Sequence, residues 1–76
     1  MDRAKLNQLI GQNIRRLRTA AGKSQEELAA ECGIDRRYLG GIERGQENPT
    51  AGVLADIAKA LRCSPAALLA DPKARG

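Results

Sequence analysis

Residues 24–45 read SQEELAAECGIDRRYLGGIERG, and this stretch decides the fold. Ser24 followed three residues later by Glu27 forms a capping box, which pairs the free backbone N–H groups at the start of a helix. Gly33 fits the left-handed position that ends a helix, and Asp35 is a good N-cap for the next one. The stretch therefore predicts two short helices joined only by residues 33–35.

The flanking sequence predicts three further helices and no strand. Apolar residues recur at helical spacing on both sides of the central pair, and Thr50 and Ser64-Pro65 are typical helix starts. The inward-facing positions before and after the pair are Leu6, Ile10, Ile14, Leu17, Ala21, Leu54, Ile57, Ala58 and Leu61. We predict an all-α fold, a compact bundle of about five short helices. Residues 1–76 would form one domain, with helices at 4–21, 25–32, 36–44, 51–61 and 65–70 and a tail at 71–76.

Composition narrows the function classes. With 76 residues, no Phe or Trp and one Tyr, the core must be aliphatic, and stacking of single-stranded bases on aromatic rings is disfavoured. The net charge of +4 suits an acidic partner such as DNA. A usual zinc site needs about four Cys or His ligands, and this sequence has two cysteines and no histidine. Without histidine, a Ser/His/Asp or Cys/His catalytic system cannot be built either. We therefore expect no enzyme, no metal and no cofactor.

The two cysteines and the hydropathy pattern indicate a cellular location. Cys32 and Cys63 fall where small apolar core residues belong, with a disulfide as the alternative. No apolar run reaches about 18 residues, so no membrane span is expected. The sequence thus predicts a soluble cytoplasmic protein with reduced thiols.

The second helix of the central pair is the candidate binding element. At 100° per residue, with Leu39 and Ile42 inward, its outward sector holds Arg37, Gly40, Gly41 and Arg44, and its flanks hold Arg36 and Tyr38. A tight turn can project such a helix into the major groove, where arginine donates two hydrogen bonds to guanine. The alternative interpretation is that Arg36 and Arg37 form an ordinary solvated face.

The adjacent glycines Gly40 and Gly41 need a reason of their own. Each glycine costs a helix interior about 1 kcal/mol relative to alanine. One explanation is that bare backbone lets the helix approach the bases closely. Neutral drift on an exposed face is the other explanation.

The combined pattern resembles the Cro and lambda-repressor type helix-turn-helix family of phage and bacterial regulators. The residues that carry the resemblance are Ser24-Gln25-Glu26-Glu27-Leu28-Ala29, Gly33-Ile34, Ile42-Glu43-Arg44-Gly45, Asn48-Pro49-Thr50 and Ala58-Lys59-Ala60-Leu61. The resemblance extends from the first helix to Leu69. The small size and the Glu-Arg-Gly and Asn-Pro-Thr runs also resemble controller proteins of restriction–modification systems.

The resemblance implies roles for specific residues. Base reading would fall to Arg36, Arg37 and Gly41, with Tyr38 and Gly40 beside them. Phosphate contacts would come from the start of the second helix and from the segment after the third, namely Ser24, Gln25, Arg44, Gln46 and Asn48. For Gln25, an ordinary exposed side chain is the alternative. Arg18 and Glu43 match a structural ion pair, which we expect to be partly exposed and mainly orienting.

The predicted function is sequence-specific binding of double-stranded DNA by a homodimeric transcriptional regulator, such as a repressor, on a palindromic operator. Val53, Leu68 and Leu69 are the predicted dimer interface, unless the two leucines simply cover the core. The alternative function is an antitoxin-like or scaffold module of the same fold whose main partner is a protein. We expect a bacterial or phage-encoded protein associated with the nucleoid.

Overall fold

A computed structural model describes residues 1–71, and these form five α-helices without a strand. The helices are α1 (Arg3–Ala20), α2 (Gln25–Cys32), α3 (Arg36–Glu43), α4 (Ala51–Ala60) and α5 (Pro65–Leu69). Each helix begins and ends within one residue of its predicted bounds. Of the predicted tail at 71–76, all but Asp71 lies outside the described residues.

Side-chain caps explain where the helices begin. The capping box of α2 is complete, because the Glu27 N–H donates to Ser24 Oγ at 3.0 Å and the Ser24 N–H donates to Glu27 Oε1 at 2.9 Å. Asp35 accepts from the Arg37 N–H at 2.7 Å, and Thr50 accepts from the N–H of Val53 at 3.1 Å. These local contacts start α2, α3 and α4 independently of packing.

The turn between α2 and α3 depends on Gly33, which has φ +69° and closes α2 in the left-handed conformation. The Ile34 N–H then donates to the carbonyl of Ala29 at 3.0 Å, which completes a glycine-type helix end. With the Asp35 cap following at once, the chain starts α3 immediately after the turn.

The core lies where α1 contacts α3 and α5, α2 contacts α3 and α4, and α4 contacts α5. Its buried apolar residues are Ile10, Ile14, Leu28, Ala29, Leu39, Ile42, Ile57, Ala58 and Leu68. Cys32 and Cys63 are free thiols, half-buried against this core, rather than a disulfide. Burial raises the pKa of the Cys32 thiol above its ordinary value, with further contributions from the negative charges of Asp56 and Glu31.

Two positions differ from the predicted core and interface. Leu68 is 0% exposed, so it belongs to the core and cannot contact a second subunit, whereas Leu69 is 44% exposed. Buried Asn13 on α1 holds this end of α5 in place, because its Nδ2 donates to the carbonyls of Leu68 at 2.9 Å and Ala70 at 2.8 Å. Ala21, expected on the inward face, is exposed, because α1 has ended by that residue.

Among residues 1–71, no helix combines the length and the apolar character needed to cross a membrane.

Candidate nucleic-acid interface

The first turn of α3 presents two exposed arginines, Arg36 and Arg37. Arg37 Nε lies 3.7 Å from Asp35 Oδ1, but the two side chains are 86% and 61% exposed, so this pair contributes little. The turn holds no acidic residue, and cations at a helix N-terminus oppose the helix dipole. The arginines therefore do not stabilise α3, and both guanidinium groups are available to a ligand.

Tyr38, the next residue, lies differently from its neighbours. It is half-buried and packs against the core that also contains Leu39 and Ile42. Its ring therefore supports α3 from the side, and only part of the side chain is left to meet a ligand.

The structure corrects the expectation that Gly40 and Gly41 form a bare outward surface, because both are buried. A β-carbon on Gly40 would lie 3.1 Å from Arg44 Nη1 and 3.8 Å from Gln25 Oε1. A β-carbon on Gly41 would lie 2.8 Å from Glu47 Cγ. Neighbouring side chains therefore cover α3 at a position that periodicity alone predicts to be open to solvent. They come from α2, from the end of α3 and from the loop that follows it.

Arg18 and Glu43, predicted as an ion pair, are in bidentate contact. Arg18 Nε lies 2.7 Å from Glu43 Oε2, and Arg18 Nη2 donates to Glu43 Oε1 at 3.0 Å. The side chains are 13% and 3% exposed, so the pair is more buried than expected. The hydrogen bond to the Glu43 carboxylate raises the pKa of Arg18 above its ordinary value. The pair joins α1 directly to the end of α3.

Gln25 also contacts Glu43, which differs from its expected position as a free phosphate-binding side chain. Its Nε2 donates to Glu43 Oε1 at 3.1 Å, and the residue is half-buried. The exposed Ser24 hydroxyl meanwhile accepts the cap hydrogen bond from Glu27. The start of α2 is thus held against α3 by side chains.

The segment after α3 brings several polar side chains to the surface. Arg44, Gln46 and Asn48, the predicted phosphate contacts, are all exposed, and Arg44 Nε donates to Gln46 Oε1 at 3.1 Å. Glu47 lies among them and folds back onto α3. The surface formed by Arg36, Arg37, Arg44, Gln46, Glu47 and Asn48 is called the α3 face below.

Sequence reasoning missed Lys23, whose side chain and backbone carbonyl both form hydrogen bonds to other segments. Its Nζ donates to Glu31 Oε2 at 2.8 Å and to the Ala60 carbonyl at 2.9 Å, while its own carbonyl accepts from Arg18 Nη1 at 2.9 Å. It therefore links the α1–α2 turn to α2 and to the end of α4. A lysine in a polar turn gives no pattern that would distinguish this role from simple solvation.

Asn13 and Gly11 were also missed, and here the sequence did contain an indication. Both interrupt the apolar face of α1 beside Ile10 and Ile14, where a bulky apolar residue would be expected. Buried Asn13 serves the end of α5, and buried Gly11 lies against the end of α3.

The chemistry of the α3 face is that of an anion-binding surface with hydrogen-bonding side chains. Within residues 1–71, no group of three or more Cys, Asp or Glu side chains could hold a metal ion. Arginine, glutamine and asparagine side chains are those that contact DNA phosphates and base edges.

Comparison with known proteins identifies the class. The helix-turn-helix family model matches residues 14–68, and the chain belongs to this family. An HTH-type transcriptional regulator of Sinorhizobium fredii is 42% identical over 59 residues, covering 78% of this chain and 77% of that protein. The control protein C.BamHI of Bacillus amyloliquefaciens is 42% identical over 62 residues, covering 80% of this chain and 76% of its own.

Solved structures agree with this assignment. The restriction-modification controller protein C.AhdI from Aeromonas hydrophila superposes with a TM-score of 0.80 at 47% identity, covering 82% of this chain and 94% of that one. The hypothetical transcription factor NHTF from Neisseria gives a TM-score of 0.89 at 36% identity, covering 99% and 86%. The chain is therefore a DNA-binding transcriptional regulator of the helix-turn-helix type and not an enzyme.

Proposed function

We propose that the protein regulates transcription as a homodimer on a short palindromic operator, with α3 of each subunit in the major groove. The exposed arginine pair at the first turn of α3 carries the proposal. These two cations sit where they destabilise the helix, and their placement is explained by a polyanionic ligand.

Arg36 and Arg37 read base edges in this arrangement, since each guanidinium can donate two hydrogen bonds to a guanine. Arg44, Gln46 and Asn48 contact the phosphate backbone beside the groove. At the start of α2, Ser24 does so together with the second Nε2 hydrogen of Gln25, which is not used in the bond to Glu43. The contact between Gln25 and Glu43 supports a fixed angle between α2 and α3, so that both helices meet the DNA together.

The dimer interface lies on α5 and the neighbouring edge of α4. Leu69 is the exposed large apolar residue there, and half-buried Val53 on α4 adds to it. A twofold dimer places its recognition helices about 34 Å apart, which matches successive major grooves on one side of the duplex. Two identical half-sites then give the operator its palindromic form.

Selection of bound duplexes from a random library, followed by titration at rising salt, tests this function. We expect enriched palindromes and a log–log salt slope of about −0.9 for each phosphate neutralised. Sedimentation of the free protein tests the dimer separately. A library without any enriched duplex would contradict the proposal and favour a protein as the partner.

A further inference from the structure

Glu47 occupies the α3 face directly over Gly41. A β-carbon on Gly41 would lie 2.8 Å from Glu47 Cγ, 3.6 Å from its Cδ and 3.3 Å from its Oε2. The loop is held in this position by the Gln46 N–H, which donates to the Gly41 carbonyl at 2.9 Å. The Glu47 side chain therefore lies in the space that a side chain at position 41 would fill.

The carboxylate of Glu47 is a free acceptor. Within residues 1–71 it takes part in no ion pair or hydrogen bond, and Glu47 is an exposed residue. The nearby Arg44 directs its Nε to Gln46 and its Nη1 towards Gly40 instead. An unpaired negative charge therefore lies on the same face as the two arginines of the first turn.

A carboxylate at a DNA surface has a restricted choice of partners. It accepts hydrogen bonds and donates none, and it is repelled by phosphates. In the major groove, guanine presents two acceptors and thymine one, while cytosine presents the N4 amino donor. Adenine also offers an amino donor, but its adjacent N7 acceptor repels the carboxylate.

We propose that Glu47, seated on Gly41, determines specificity by accepting a hydrogen bond from the N4 amino group of a cytosine in each half-site. This inference rests on the proposed function, because it requires α3 to lie in the major groove. It also gives a reason for the presence of Gly41, although glycine costs a helix about 1 kcal/mol relative to alanine. A β-carbon at Gly41 would overlap Glu47 Cγ and displace the side chain that carries the carboxylate.

The test compares the duplexes selected from a random library by the parent chain and by two variants. Glu47→Gln keeps the size of the side chain but replaces the acceptor with an amide that both donates and accepts. Gly41→Ala keeps the carboxylate but displaces it, and circular dichroism establishes that this variant is folded. Asp56→Asn is the control, since it removes the same charge from an exposed carboxylate of α4 that forms no salt bridge within residues 1–71.

We expect the parent to prefer cytosine about tenfold at one position of each half-site, the usual cost of one mismatched pair. Glu47→Gln moves that preference towards adenine, whose N6 and N7 match the glutamine amide. Gly41→Ala loses the preference at the same position. The Asp56→Asn control keeps the parent preference.

Three outcomes overturn the inference. In the first, Glu47→Gln raises affinity for all duplexes equally, which indicates simple relief of charge repulsion. In the second, Asp56→Asn changes base preference in the same way. In the third, Gly41→Ala retains the cytosine preference in full. If the parent enriches no duplex, the proposed function fails and this inference fails with it. That result differs from the three outcomes above, in which the parent still selects an operator.

Discussion

Gly11 of α1 lies so close to Glu43 of α3 that a β-carbon on the glycine would be 2.6 Å from the Glu43 carbonyl oxygen and would also overlap that of Ile42. The end of α3 is thus held against the backbone of α1, beside the ion pair between Arg18 and Glu43. Backbone contact and side-chain contact together fix α3 relative to the rest of the bundle.

Gly11→Ala tests the backbone contact. The added methyl must push the two helices apart, because its neighbours are backbone atoms, and overpacking of this kind costs about 1–3 kcal/mol of unfolding free energy. Urea unfolding followed by circular dichroism measures the loss. Gly52→Ala on α4 is the matched control. Only Thr50 Oγ1, at 3.9 Å, lies near its β-carbon, so it is expected to preserve or raise stability. Equal stability of both variants would contradict the close contact.

Arg18→Met tests the buried ion pair. The variant leaves the Glu43 carboxylate, 3% exposed, with Gln25 as its remaining side-chain donor, and breaking such a pair costs about 3–5 kcal/mol. Arg15→Met, on the exposed side of α1, should change the unfolding free energy by less than about 0.5 kcal/mol. Replacing both Arg18 and Glu43 with Met should recover part of the loss, because no charge is then left buried. If the loss of unfolding free energy in the double variant equals the sum of the losses in the two single variants, this interpretation is refuted.

Glu27 should make stability depend on pH. Its pKa is held below the ordinary 4.5, first because the carboxylate accepts the Ser24 backbone N–H and second through the Ser24 hydroxyl. A pKa that is lower in the folded chain gives stability that is present above the unfolded value and lost as pH falls through the folded one. The stability difference between the parent and Glu27→Gln should therefore shrink on acidification below about pH 4.5. Urea midpoints at several pH values measure it, and a difference that stays constant across this range would contradict the prediction.

Arg36, Arg37 and Arg44 should affect DNA binding in two distinguishable ways. Arg36→Ala or Arg37→Ala is expected to cost about 1–3 kcal/mol of operator affinity and to relax the preference for individual bases. Arg44→Ala should weaken all sequences alike and reduce the salt slope by about one. Mobility-shift titrations against the operator and its single-base variants separate the two effects. A uniform loss in the Arg36 variant would assign that residue to the backbone.

Leu69→Ser should weaken the dimer while preserving the fold. The side chain is partly exposed in the single chain, and its burial against a partner would contribute to association, so we expect dimer affinity to fall about fivefold or more. Sedimentation equilibrium measures the change. Leu68→Ala serves as the contrast, because this side chain belongs to the core. The variant should lower the unfolding free energy of the single chain by about 2–5 kcal/mol. Unchanged association of Leu69→Ser would move the interface elsewhere.

The sequence alone determined the fold class, the five helices and their order. Helix starts are decided within three residues, because the side chains of Ser24, Asp35 and Thr50 satisfy backbone groups of the helix that follows. The apolar spacing likewise identified most of the core, since every turn of a helix repeats the same face.

Tertiary structure decided which outward positions are free. Helical periodicity correctly places Gly40 and Gly41 on the side of α3 that points away from the core. It cannot show that the side chains of Gln25, Arg44 and Glu47 cover them. Nor can it decide between Leu68 and Leu69, because the covered side of α5 depends on its packing against α1 and α4. The Asn13 contact that holds the end of α5 against α1 comes from 55 residues away in the chain. Caps are local and can be read from neighbours in the sequence, whereas coverage and burial depend on segments brought together only by folding.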